Sequence, residues 1–331
     1  MTGPGAKNSF KKDLGQAAEL AGVRLIRAVF RFMPLAVYRA VFPVLRGLAR
    51  LVLKRKLKVI RANLRIVYKD GRGASPPEKI AGNCLDNFSA GLIELGYIAD
   101  RTSRLKTSVT LSGRTWLDQA LDRGRGAILL SAHFGNFIVM YLALVEHGYK
   151  VNVIMKPSHN PFMERYIETY RRRHGIRTVY SLPARQCVTE SLRALKRNEV
   201  LVILLDQNFG GDGRVFVDFF GQNAATAGGP VVFAQRSGAP VLPGFMFTEA
   251  RALRHRLEIR APLELKGDPK DAGFVRDNVQ MMTGIIEDQI RAVPHEWAGW
   301  MHKRWKSRTF EEQCVLDRLS EEDLRSRAFY S

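Results

Sequence analysis

Two short apolar runs in this sequence end in residues that can do chemistry. Gly126–Ser131 (GAILLS) leads into Ala132, His133, Phe134, Gly135 and Asn136. Val200–Leu205 (VLVILL) leads into Asp206, Gln207 and Asn208. Both runs read as buried strands, and in open α/β sheets reactive groups collect beyond the carboxyl ends of strands. A neutral His in such a place can take a proton near pH 7. Gly135 and Asn136 permit a tight turn into a following helix, whose free N–H groups could hold an oxyanion. Asp206 ends what should be a nearby parallel strand, where it can orient an imidazole or simply hydrogen-bond a turn. A lone strand-end His is more often structural. No Gly-x-Ser-x-Gly elbow, His-Glu-x-x-His or Gly-Lys-Ser/Thr sequence occurs, so the common serine-hydrolase, zincin and phosphate-loop signatures are absent.

The elements around these residues alternate. Periodicity predicts helices over 77–98, 138–146 and 161–174, and another through Val188, Leu192 and Leu195 to Asn198. Two more are expected over 228–237 and 271–292. Strands are expected at 126–131, 151–155, 200–205, 240–247 and 255–262. This βαβ order implies a single α/β domain with a largely parallel central sheet flanked by helices. Cys84, Cys187 and Cys314 are odd in number and scattered, which argues against a disulfide framework or a cysteine zinc site and for a reducing, cytosol-facing location.

The chain has 331 residues and a net charge of +20. Residues 1–60 hold 13 Lys/Arg against Asp13 and Glu19, more than half of that charge. Such a surface seeks anions: nucleic acid, anionic lipid or phosphorylated substrates. Arg24, Arg27, Arg31, Arg39, Arg46 and Arg50 fall within roughly 140° of one helical face. Val23, Leu25, Ile26, Val29, Phe32, Val37, Val44 and their apolar neighbours fill the other, and Pro34 and Pro43 should kink or interrupt the helix. This pattern suits a helix lying in a membrane surface, followed by the basic cluster Lys54, Arg55, Lys56 and Lys58. An amphipathic helix docked on the protein's own core fits as well. No charge-free apolar run is long enough to span a bilayer.

Several separated blocks together resemble the bacterial lipid A biosynthesis late acyltransferases, within the lysophospholipid acyltransferase superfamily. They are Arg61–Asn63–Leu64; SAHFGN around His133; and Lys156, Asn160–Pro161 and Arg172/Arg173–Gly175. The run from Asp206–Gln207 through Phe219–Phe220–Gly221 to Ala224–Ala225–Thr226 matches too, as do SGAPVLP and the segment from Pro294 through Trp297, Trp300 and His302 to Lys306. The likeness covers roughly residues 55–308. It implies direct transfer of an acyl group from acyl carrier protein or coenzyme A to an acceptor hydroxyl, with His133 as base and no covalent enzyme intermediate. No bound cofactor or metal is implied. The acceptor would be a lipid A precursor, with a lysophospholipid or another glycolipid open, and the place the cytoplasmic face of the bacterial inner membrane.

One departure stands out. The family places an acid five positions after its His, and this chain has Ile138 there. Asp206 is the best substitute and Asp218 a weaker one. Gln207, in the same block as Asp206, is assigned to substrate binding. Phe216, Phe219 and Phe220 could line an acyl pocket, or be plain core. Lys156, Arg165, Arg171, Arg172 and Arg173 could clamp donor or acceptor phosphates, or form a solvated helix face. Three segments are expected: a membrane-associating stretch 1–58, an acyltransferase domain 59–308 and a charged tail 309–331. Two rival readings remain. A nucleic-acid binder explains the charge but not the apolar amino-terminal segment, and no nucleic-acid motif is visible. A catalytically inactive, membrane-bound relative rests on Ile138.

Overall fold

The computed structural model describes residues 4–68, 75–249 and 253–307. The expected tail 309–331, with Cys314, lies outside the described residues. The chain opens with helices α1 (Pro4–Phe32), α2 (Leu35–Leu53), α3 (Leu57–Val67) and α4 (Pro77–Ile98), then α5 (Leu105–Ser108). There follow β1 (Val109–Ser112), α6 (Arg114–Asp122), β2 (Ala127–Ser131), α7 (Phe137–Glu146), β3 (Val151–Met155), α8 (Pro161–Arg173) and β4 (Ile176–Tyr180). The second half runs α9 (Ala184–Lys196), β5 (Val200–Leu204), β6 (Arg214–Phe219), β7 (Gln222–Ala227), α10 (Gly229–Ser237), β8 (Val241–Thr248), β9 (His255–Ile259) and α11 (Phe274–Ala292).

Seven strands form one sheet in the order β1-β9-β8-β2-β5-β3-β4, in which only β8 and β9 pair antiparallel. The centre of this sheet is covered on both faces, which is why β2 and β5 read as unbroken apolar runs. Alternate residues serve opposite layers. Ile128, Leu130, Leu201 and Ile203 enter the core shared with α9–α11 and the three buried tryptophans. Ala127, Leu129, Val200 and Val202 enter the core under α6 and α7.

The expected helices and strands are present, and the sheet has more strands than the sequence suggested. β1 and β4 sit at its two edges, where short, half-polar segments leave little apolar signal. The Phe-rich stretch around Phe216, Phe219 and Phe220, not assigned to a strand from the sequence, forms the β6–β7 hairpin. Its turn needs positive φ at both Phe220 (59°) and Gly221 (71°). Asn-Gly is the sequence signal for that turn, and Phe is an uncommon residue in its first position.

Pro34 does break the amino-terminal segment: it precedes α2 in an extended conformation, whereas Pro43 stays inside α2. Phe30, Tyr38 and Tyr97 bury a small satellite core that fixes α1 and α2 to α4. The arginines do not form one solvent stripe. Arg27 turns in to Asp100 at 2.6 Å, and Arg50 to Asp86 at 2.8 Å. The outward sides of α1 and α2 instead carry Leu25, Ile26, Val29, Phe32, Val44, Leu51 and Val52, all more than half exposed. Among the described residues, no helix is long and apolar enough to cross a membrane.

Candidate active site

Strand register places His133 beside Asp206. β2 and β5 are parallel neighbours with Ser131 opposite Leu204, and the ladder continues with the Leu205 amide donating to the Ser131 carbonyl at 3.0 Å. His133 lies two residues past Ser131 and Asp206 two past Leu204, so both leave the sheet at the same point. Asp206 Oδ1 stands 2.8 Å from His133 Nδ1. Its Oδ2 accepts from the His133 backbone N–H at 3.1 Å and from the Trp297 indole N–H at 2.7 Å. The Asp206 side chain is fully buried. Burial alone would raise its pKa, but the His133 imidazole and these donors outweigh it and hold the carboxyl at about 2.

An ionised Asp206 makes Nδ1 the proton-bearing nitrogen of a neutral His133 and leaves a lone pair on Nε2. Gln207 Nε2 lies 3.0 Å from that Nε2, so its amide donates to the lone pair. The imidazole edge is a fifth exposed. Phe137, the first residue of α7, packs against the ring with centroids 4.7 Å apart. The His302 ring lies 6.1 Å away, and burial lowers its pKa.

The turn after His133 is tied to the Pro294–Met301 segment. The Ala298 amide donates to the His133 carbonyl and the Gly135 amide to the Glu296 carbonyl, both at 2.8 Å, while Phe134 bridges Trp297. The Gly135 N–H is therefore already bonded and is not free to hold an oxyanion, contrary to the sequence expectation. Gly135 is needed for fit: its φ is +56°, and a Cβ there would sit 2.1 Å from the Met246 carbonyl oxygen. Asn136 precedes α7 but does not cap it. Its side chain donates to the Gly91 carbonyl and to Glu94 Oε2, each at 3.2 Å.

Ile138 lines a cavity of about 100 Å³ between α4 and the start of α7, with Phe88, Leu92 and Leu95. At its polar side Glu94 lies 3.0 Å from His255. Glu296 also lines it, its pKa raised by burial to about 7.

The remaining expected residues separate. Phe219 and Phe220 are buried and pack on Trp297, Trp300 and Trp305. They are core and not an acyl pocket, and Phe216 is a half-buried β6 residue beside them. Asp218 closes the hairpin turn, accepting from the Gly221 amide at 3.0 Å, and takes no part in the site. Lys156 and Arg172 are exposed. Arg171 turns inward to Glu164 and Glu168, while Arg165 and Arg173 line a groove against α1. None of these cations is bonded to the His133–Asp206 pair. Trp297 was missed as a site residue. Trp297 lies in the Pro294–Lys306 segment, but its reach across 91 residues to Asp206 leaves no local signal.

Comparison with known proteins places the chain in a family. The bacterial lipid A biosynthesis acyltransferase family matches residues 10–307. A lipid A biosynthesis palmitoleoyltransferase of Escherichia coli (strain K12) is 27% identical over 276 residues, 81% of this chain and 85% of that one. A lauroyltransferase of the same organism is 26% identical over 79% of this chain and 84% of its own. A phosphatidylinositol mannoside acyltransferase of Mycobacterium tuberculosis is 30% identical over 56% of this chain and 57% of its own. The crystal structure of the 1-acyl-sn-glycerophosphate acyltransferase of Thermotoga maritima superposes with a TM-score of 0.36 and 17% identity, covering 75% of this chain and 99% of that one. With a family match that runs over most of its length, the chain belongs to the bacterial lipid A biosynthesis acyltransferases and is an O-acyltransferase.

Proposed function

We propose that the protein moves a fatty acyl group from a thioester donor, acyl carrier protein or coenzyme A, to a hydroxyl of a lipid A precursor or related glycolipid. A lysophospholipid is the second acceptor class. His133 Nε2 takes the acceptor hydroxyl proton as the oxygen attacks the thioester carbonyl. The tetrahedral intermediate collapses, the sulfur leaves, and the imidazolium returns the proton to the thiolate. Asp206 holds the productive tautomer and balances the imidazolium charge. Gln207 occupies the acceptor's place in the resting site and must yield Nε2 as the hydroxyl arrives. The 2.8 Å contact between His133 and an ionised Asp206 carries this reading. It supplies the carboxylate that Ile138 lacks, which favours a working enzyme over an inactive relative. The exposed apolar sides of α1 and α2 support work at the cytoplasmic face of the inner membrane, where such an acceptor is anchored.

The test is to incubate purified protein with acyl carrier protein and coenzyme A thioesters against lipid A precursors, lyso-lipids and other glycolipids, reading products by mass spectrometry. Transfer should occur in the wild type and vanish in His133→Ala with the fold kept. Most of the turnover surviving in His133→Ala would place the catalytic centre elsewhere. No product with any donor and acceptor would return the inactive reading.

A further inference from the structure

The groove between α1 and α8 shares no residue with the cavity beside the turn after His133. Its open volume is about 750 Å³. Arg24 and Arg27 line it from α1, and Arg165, Tyr166 and Arg173 from α8. Arg27 is committed: it is paired with Asp100 and donates to the Tyr166 hydroxyl at 2.9 Å. Arg24 stands over the Tyr166 ring, 5.7 Å from its centroid. Arg24, Arg165 and Arg173 meet no carboxylate among the described residues. No acid lines the groove. Glu19, near its α1 end, is taken by Asn160 at 2.9 Å.

Helix α8 sorts its charges to produce this. At about 100° per residue, Arg165, Tyr166 and Arg173 share one side, and Glu164, Glu168 and Arg171 share the opposite one. The contacts agree, since Glu164 and Glu168 pair with Arg171 and bond Tyr180 and Thr178 of β4. Helix α1 is divided in the same way. Arg24 and Arg27 face the groove, and Leu25, Ile26, Val29 and Phe32 stand on the far side, each more than half exposed. If that apolar side enters a bilayer by the usual ~5–10 Å, the opposite side of a helix about 10 Å across lies among headgroups.

We propose that this groove binds the phosphate of an anionic phospholipid headgroup, as a second lipid site apart from the catalytic one. Guanidinium groups suit phosphate oxygens, and the apolar side of the same helix favours a bilayer over the acidic surface of a carrier protein. The proposal rests on the membrane-surface part of the proposed function, and its test separates the two.

The partitioning of full-length protein is measured on phosphatidylcholine vesicles with and without about a quarter phosphatidylglycerol. The combined variant Arg24→Gln/Arg165→Gln/Arg173→Gln is compared with Arg123→Gln/Arg185→Gln/Arg236→Gln, which removes the same charge from exposed positions outside the groove. At roughly fivefold per lost cation, the groove variant should bind the anionic vesicles on the order of 100-fold more weakly. The other variant should lose only severalfold. Equal losses would mean diffuse charge attraction and overturn the site. Displacement of wild type by millimolar inorganic phosphate, at ionic strength matched with chloride, would make free phosphate the occupant and overturn the lipid assignment. Unchanged vesicle binding with a raised KM for acyl carrier protein would assign the groove to the donor, again against the proposal. Wild type that binds no vesicle of any kind would defeat the membrane reading itself, and this site with it.

Discussion

At the His133 site a carboxylate is taken wholly out of water, and each of its oxygens is matched by a donor within 3.1 Å. Along α1 and α2, large apolar side chains stay in water while Arg27 and Arg50 turn toward the body. The His133 site spends burial on a charge, and the α1–α2 segment withholds it from hydrocarbon. An isolated soluble protein would have reason to do neither: burying an ion costs several kcal/mol before its partners offset it, and contiguous exposed apolar surface marks an interaction site. Polarity inverted against burial, in opposite senses at the two places, sets the proposed catalytic pair and the proposed lipid-facing surface apart from plain scaffold.

The comparison can be broken most forcefully at Asp206. Asp206→Asn keeps the shape but loses the charge and favours the wrong imidazole tautomer, so kcat should fall on the order of 10³–10⁴-fold. A loss of less than tenfold in single-turnover transfer would make the buried carboxylate scaffold after all. At the other region, changing Leu25, Ile26, Val29 and Phe32 together to Asn should reduce vesicle association on the order of 100-fold. The melting temperature should barely move, because exposed positions contribute little to the core. A large drop in melting temperature would show that these side chains are packed.

A smaller effect concerns Glu296, which faces Glu94 and His255 from neighbouring elements and bonds Thr248. Its folded pKa, about 7, lies above the unfolded value, near 4.3. The native state therefore holds the extra proton between these values, and the stability linked to it is full below the lower one and declines as pH rises through the upper one. Glu296→Gln should remove that decline and be more stable at pH 8 by on the order of 1–3 kcal/mol. Urea titrations at pH 5 and pH 8 that shift in parallel for both proteins would show that Glu296 is charged in the fold.

The smallest effect is expected of Ile138→Glu. With Asp206 already on Nδ1, a second acid in the cavity beside Glu94 and Glu296 has no open imidazole position to fill. Activity should change less than about tenfold, since a crowded carboxyl there is driven to stay protonated. A large gain, or rescue of Asp206→Asn by the added Ile138→Glu change, would show that the helix position can still serve the base.

What could be read in the sequence follows from how far each signal travels. Buried strands announce themselves within five residues, so β2 and β5 were legible, and the adjacency of His133 and Asp206 followed from both closing parallel strands. The hairpin was not legible because its turn depends on Phe220 accepting a positive φ that Phe rarely adopts. The direction of the arginines was hidden because Asp100, Asp86 and Tyr166 settle it from other parts of the chain. Gly135 was correctly seen as a turn residue, but the Glu296 carbonyl that takes its amide arrives from far along the sequence.

The link between the His133 amide and the Asp206 carboxylate has a consequence for motion. Residues that act on substrates usually sit in loops that open easily. Here His133, the proposed base, donates its own main-chain N–H to a buried carboxylate and receives the Ala298 amide on its carbonyl. Deuterium should therefore enter the His133 and Ala298 amides as slowly as it enters β2, and only on global unfolding. The proposed base would then be among the last parts of the molecule to loosen, and the flexibility that turnover needs would fall to side chains such as Gln207.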